Sequence, residues 1–236
     1  MHRARVIREV QMPRHHPIRW LWKEQGPLLL LILVICLFHV PQMFFENEAF
    51  ERFEVVPAEV VSSWDALRSG DFQDVRPAEF ATLLTYAFLH GDMDHLLGNM
   101  LFLWIFAALA SELIGYRWML TVFVITAIGG GICHVALNRD DIVPMLGASG
   151  AVTGFEGLYL GMATRWHLPY PHVWPMSRPV PPANLAILAV LGYVMDFSGY
   201  ISGPSGIAHG AHLGGFFAGM ALGAFVVPMP RLAMRR

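Results

Sequence analysis

The sequence is poor in charge. Of its 236 residues, 14% are Asp, Glu, Lys or Arg, against 55% that are apolar. A soluble globule of this size needs more polar surface than that to meet water, so a membrane protein is expected instead. Cysteine is scarcer still. Cys36 and Cys133 are the two present, and both fall inside apolar runs, which excludes a disulfide framework and a CxxC metal motif. No polar linker is long enough to divide the chain into domains, and there is no internal repeat or low-complexity tract. The His-Glu-x-x-His pattern of zinc proteases is missing, as is an inverted repeat of the kind secondary transporters carry. A signal-peptide cleavage site is lacking too. Residues 1–26 are basic and an apolar run follows at once, but Pro41, Gln42, Phe44 and Phe45 stand where small residues would be required. An uncleaved first span is expected.

What is present is six apolar runs, at 28–45, 93–110, 118–137, 148–163, 183–197 and 207–227, separated by segments bearing Pro, Gly or charge. A helix crossing the hydrocarbon core, about 30 Å thick, needs roughly 20 apolar residues, fewer where protein or a cavity replaces lipid. The expected fold is all-α, six transmembrane helices in one bundle, with the fourth and fifth short. Lys and Arg placement sets the orientation. The tail 1–26 carries Arg3, Arg5, Arg8, Arg14, Arg19 and Lys23, and the tail 229–236 carries Arg231, Arg235 and Arg236. With both tails cytoplasmic around a membrane domain at 27–228, the inner loops add Arg117, Arg165 and Arg178, and the outer loops hold Arg52, Arg68, Arg76 and Arg139. The basic tail is thus a topology signal and no nucleic-acid surface. The acidic stretch 46–79 is expected at the outer interface as a partly structured loop, a candidate gate for substrate entry. The fifth span, with Asp196 and Phe197, is a second candidate gate.

Ionisable and strongly polar groups inside membrane spans cost several kcal/mol by insertion scales, roughly 2.5 to 3.5 for a charge at the centre, so each is a functional candidate. His95, Asn99, His134, Ser149, Glu156, His209 and His212 are the informative ones. The second span enters from the outer face near His95, and Asn99 follows one turn deeper on the same helical face. The fourth span also starts outside. At about 1.5 Å per residue its roughly 16 residues reach only about 24 Å, so Ser149 starts below the outer surface. The sixth span starts outside after Gly206, with His212 one to two turns in. His95, Asn99, Ser149 and His212 therefore share the outer half of the bilayer. Gly215, Gly219 and Gly223 form a stripe around His212, and Gly150, Gly154, Gly157 and Gly161 form another beside Ser149. If these stripes face each other, the backbones approach closely and serine meets histidine. His209 fits that contact less well. A nucleophile, Ser149, a base, His212, and oxyanion donors, His95, Asn99 and the Ser149 N–H, can then be assigned in one layer.

These residues also carry a resemblance. The segment from Phe88 to Asn99 resembles the His-xxx-Asn second helix of the rhomboid family, Gly147-Ala148-Ser149-Gly150 resembles its Gly-x-Ser-Gly motif, and Ala211-His212-Leu213-Gly214-Gly215 with Gly219 resembles its sixth helix. Residues 112–118 look like the family's connection into the third helix, and the likeness runs over about 78–227. The resemblance implies a six-helix rhomboid-like bundle with a short central fourth helix and a Ser-His dyad without a carboxylate. It implies hydrolysis of transmembrane protein substrates within the lipid bilayer, with no cofactor and no metal, and a multi-pass protein of the bacterial inner membrane. Glu156 departs from the family pattern. It lies on the Ser149 face two turns deeper, about 10 Å away along the axis, too far to orient His212. His90 is expected to brace the loop, and His134 and His209 to pack or hydrogen-bond. The competing functions are a haem or metal membrane protein, a transporter, and a non-catalytic rhomboid-like protein that binds transmembrane segments.

Overall fold

The computed structural model describes residues 22–23, 25–44, 48–169, 182–203, 206–231 and 233–235. Most of the tail 1–26, Arg178 in an inner loop, and Arg236 of the tail 229–236 lie outside the described residues. Eight helices of two turns or more are described: α1 Gly26–Phe44, α2 Pro57–Ser69, α3 Pro77–Thr85, α4 Met93–Ile114, α5 Tyr116–Leu137, α6 Ser149–Arg165, α7 Pro182–Ser202 and α8 His209–Ala221. A π-helical turn, Leu222–Val226, prolongs α8. The described residues are otherwise loops, short turns and one two-residue antiparallel pairing, Trp166–His167 with Met234–Arg235.

Among the described residues, three helices, α1, α4 and α5, are long and apolar enough to cross a membrane. Within α7, the stretch Ala186–Ser202 is apolar. Helix α6 has 17 residues, about 25 Å at 1.5 Å per residue, and α8 has 13.

Helix α6 is the pillar. Residues on every side of it are buried, including Ala151, Val152, Phe155, Leu158 and Met162, as expected for a helix enclosed by its neighbours. It packs on α4, α5, α7 and α8. Helix α1 lies outside, burying only the face of Leu28, Ile35 and His39 and exposing Leu30, Leu33, Leu37 and Phe38.

The glycine stripes of α6 and α8 do face each other. A methyl group on Gly215 would overlap the Gly150 carbonyl, one on Gly219 the Gly154 carbonyl, and one on Gly157 the Phe216 carbonyl. Helix α5 supplies a second close seam, where Gly129 and Gly130 lie against Gly214 and Ala211 of α8. Helix α8 is thereby clasped between two backbones. Thr153 adds a polar tie, its hydroxyl donating to the carbonyl of His212 at 2.9 Å.

Residues 48–79 hold more helix than a partly structured loop would. Both α2 and α3 begin with proline at the first helical position after an extended residue, Val56 or Arg76. Proline there is pre-set for the helix and lacks an N–H that would have gone unpaired. Gly70, at φ 83°, ends α2, a left-handed position that suits glycine. This layer reaches the loop before Ser149 directly. Val55 and Met145 exchange backbone bonds at 3.0 and 2.8 Å, and the Ala58 N–H donates to the Asp141 carbonyl at 3.0 Å.

Candidate active site

At one end of the bundle, the starts of α4, α6 and α8 converge. Asp92 caps α4, its carboxylate accepting the His95 N–H at 2.7 Å, which is the usual role of an N-cap acid. The chain then presents His95 and, one turn on, buried Asn99. Asn99 Nδ2 has no hydrogen-bond partner among the described residues. A buried, unused amide donor is costly, and it suits a site where an acceptor arrives with substrate.

Ser149 opens α6 after Gly147, whose φ of 123° only glycine adopts readily. The Gly147 N–H donates to the Tyr86 carbonyl at 3.0 Å, and the buried Tyr86 hydroxyl donates to the Ala127 carbonyl at 2.9 Å. His90 Nε2 accepts the Ala148 N–H at 3.4 Å, so His90, itself buried, braces the turn. Its ring meets that of His95 edge to face at 5.1 Å and that of His39 at 6.5 Å. Being in the first turn of α6, the Ser149 N–H has no intrahelical acceptor. A β-carbon on Gly147 would sit 2.8 Å from His95 Nε2 and 3.7 Å from Ser149 Oγ, so ring and hydroxyl flank the same point.

His212 Nε2 lies 2.8 Å from Ser149 Oγ, hydrogen-bond distance for a nucleophile and its base. The structure therefore brings Ser149, His212 and His95 together around Gly147, with Asn99 one turn below His95 on α4. His209 turns its Nδ1 to Asp196 at 3.1 Å, and its ring occupies the space left by Gly199. His134 stands apart on α5, near Gly210 and Asn138. Glu156 is buried deeper along α6, its carboxylate against Gly192 of α7.

One neighbour was not anticipated as part of the site. The resemblance implies a histidine without a carboxylate, yet Asp196 Oδ1 lies 2.6 Å from His212 Nδ1. The sequence held a signal for it. Ala189, Gly192, Asp196 and Gly199 fall at helical spacing on one face, and small residues on that face mark the side of α7 that packs inward. The donor atoms of Asp196, His209 and His212 all lie within 4.8 Å of one another, a set that could also hold a metal ion.

Known proteins resemble this chain over the helical bundle. The chain is 30% identical over 150 residues to RHOMBOID-like protein 12, mitochondrial, of Arabidopsis thaliana, which covers 57% of this chain and 43% of the relative. It is 33% identical over 110 residues to "Putative rhomboid protease YdcA" of Bacillus subtilis (strain 168), covering 47% and 55%. It is 26% identical over 158 residues to RHOMBOID-like protein 5 of Arabidopsis thaliana, covering 66% and 47%. The chain thus spans about half the length of the curated relatives it matches. The profile of the rhomboid domain matches residues 77–229, from the first turn of α3 to beyond the end of α8. That span exceeds half of the chain and contains every helix that meets at Ser149, and so this integral membrane protein belongs to the rhomboid family.

Proposed function

We propose that the chain is an intramembrane serine endopeptidase that hydrolyses peptide bonds in or near the transmembrane segments of other membrane proteins. The observation that carries this reading is the 2.8 Å contact between Ser149 Oγ and His212 Nε2. The unused Asn99 amide beside it adds support.

In the proposed reaction, Ser149 Oγ attacks the scissile carbonyl carbon while His212 Nε2 takes the hydroxyl proton. The oxyanion accepts hydrogen bonds from the Ser149 N–H, Asn99 Nδ2 and the His95 ring. Collapse of the intermediate breaks the C–N bond, and His212 returns the proton to the leaving amine. A water, deprotonated by the same nitrogen, then cleaves the acyl-serine ester and frees Ser149. Both half-reactions run on protein groups, so the proposal involves no cofactor.

The proposed topology has six spans, α1 and α4 to α8, with residues 1–26 and 229–236 as cytoplasmic tails of a catalytic domain at 27–228. An even number of spans fits the Lys and Arg placement. The site then lies in the outer half of the bilayer, and the proposed location is a bacterial inner membrane.

The test is reconstitution of the full chain in liposomes with a model transmembrane substrate. Wild type should cleave it, and Ser149→Ala and His212→Ala should each lose on the order of 10⁴-fold or more in kcat. Retained cleavage by either variant refutes the assignment. A wild type that binds the segment but never cleaves it would make the chain a non-catalytic binder of transmembrane segments.

A further inference from the structure

The face of α7 that looks into the bundle carries one charged residue at the level of the serine. Asp196 Oδ1 is shared by two imidazoles, His212 Nδ1 at 2.6 Å and His209 Nδ1 at 3.1 Å. The Asp196 and His212 side chains are each about 15% exposed, so the contact is largely shielded. A carboxylate placed within a membrane span is expensive unless donors satisfy it. Two ring N–H groups on one oxygen do so.

That arrangement fixes the tautomers. An ionised carboxylate only accepts, so each ring must carry its proton on Nδ1. His212 then has a bare Nε2, the atom 2.8 Å from Ser149 Oγ, and a bare nitrogen is what a general base needs. With the proton on Nε2 instead, the ring would donate to the serine and could not deprotonate it. The tautomer of a histidine is set by the hydrogen bond its other nitrogen makes, and here that partner is Asp196.

We propose that Asp196 is the positioning carboxylate of His212, so that Ser149, His212 and Asp196 form a triad assembled across α6, α8 and α7, with His209 steadying the carboxylate from its far side. The proposal rests on the protease reading above. It assigns a role to a residue that the dyad leaves idle, and it makes the docking of α7 part of the catalytic geometry. Tyr193, one turn before Asp196, stacks on Phe216 of α8 at 5.2 Å, and Gly199, nearly one turn after it, admits the His209 ring. The contact is thus built from both sides.

The same three side chains could be read as a metal site. Ligands around a tetrahedral zinc at 2.0–2.2 Å sit roughly 3.3 Å apart. The 2.6 Å separation of Asp196 Oδ1 and His212 Nδ1 is a charge-assisted hydrogen bond in length and too short for two atoms sharing one ion. A metal would also strip Nδ1 of its proton and reverse the tautomer of His212.

The test uses the full chain with ¹⁵N-labelled histidine, purified in detergent micelles and assayed on the model transmembrane substrate. Imidazole ¹⁵N spectra, with the His212 signals assigned by their loss in His212→Ala, should show His212 protonated on Nδ1. Asp196→Asn should shift it toward the Nε2-protonated form. The same variant should lower kcat by up to about 10⁴-fold, the loss a wrong tautomer causes, with KM little changed, and Asp196→Glu should recover part of the loss. An Nε2-protonated His212 in wild type overturns the proposal without reference to any variant. So does a folded Asp196→Asn protein with wild-type kcat while Ser149→Ala is inactive, a result that leaves the protease reading intact. A raised KM with unchanged kcat would instead make Asp196 a substrate contact. Stoichiometric zinc in the purified protein, whose removal changes the His212 tautomer, would overturn the proposal in favour of a metal site. If wild type and Ser149→Ala are equally inactive, the protease reading itself fails.

Discussion

Gly147→Ala tests how finely the turn before the serine is set. Two separate penalties follow from the structure. The first is backbone. An alanine at φ 123° is held outside the regions its side chain allows, at a cost of order 1–3 kcal/mol. The second is contact. Its β-carbon would stand 2.7 Å from His95 Cε1 and 2.8 Å from Nε2, where ordinary contact begins at 3.4 Å. The His95 ring, or the turn, must yield by about 0.6–0.7 Å, enough to spoil a hydrogen bond to an oxyanion. Loss of one such donor lowers kcat on the order of 10²–10³-fold, so Gly147→Ala should approach the defect of His95→Ala. A double-mutant cycle separates the two penalties. In the His95→Ala background the steric penalty is gone, and adding Gly147→Ala should cost stability through the backbone alone, with little further loss of kcat. The assay is kcat and KM on the transmembrane substrate, with thermal unfolding in one fixed detergent. Equal fold losses of kcat in both backgrounds would refute the reasoning, because the methyl group would then be acting on something other than His95.

Two more expectations concern the parts around the turn. His90→Ala removes the acceptor of the buried Ala148 N–H and should destabilise the protein by about 1–3 kcal/mol, with a fall in kcat; an unchanged melting temperature would show that the brace is idle. Glu54, outside the spans, has its carboxyl held above the ordinary carboxylate range by burial and by nearby Glu51. A raised folded-state value means that its contribution is fully present below the unfolded value and is lost as pH rises through the folded one. Glu54→Gln should therefore raise the melting temperature at neutral pH and leave it almost unchanged well below the ordinary carboxylate range. The opposite pH trend would contradict the assignment.

Much of the bundle was legible because membrane helices announce themselves by length and composition. The run expected at 93–110 extends to Ile114 past two polar residues, Ser111 and Glu112, and one partner of Glu112, Gln25 at 3.5 Å, is distant in sequence. The meeting of Ser149 and His212 could be anticipated from glycine spacing, since a stripe of small residues says which face another backbone will touch. For Asp196, small-residue spacing marks the inward side of α7 but not the partner met there. Its helix has several apolar faces, among them exposed Leu188, Leu191 and Met195, and one carboxylate does not reveal which neighbour it addresses until the helices are docked. Helices α2 and α3 were hidden for another reason. They are short and mixed in polarity, so periodicity is weak, and their proline starts are signals that a loop reading equally accommodates. His90 lies outside any helix, and its bond to Ala148 exists only because the loop folds back over the bundle.

The crossing of α6 and α8 sets a dimension in the way a mechanical stop does. Between Gly150 and Gly215, and again between Gly154 and Gly219, main chain rests on main chain with no side chain interposed. Side chains can change rotamer and so act as springs, whereas touching backbones cannot. The gap between Ser149 and His212 is therefore gauged by van der Waals radii, one turn from the point of contact. Helix α7 is held by aromatic stacking and a shared carboxylate, both of which can yield. A bilayer that thickens, thins or is replaced by detergent would shift α7 first and leave the serine and histidine at their setting.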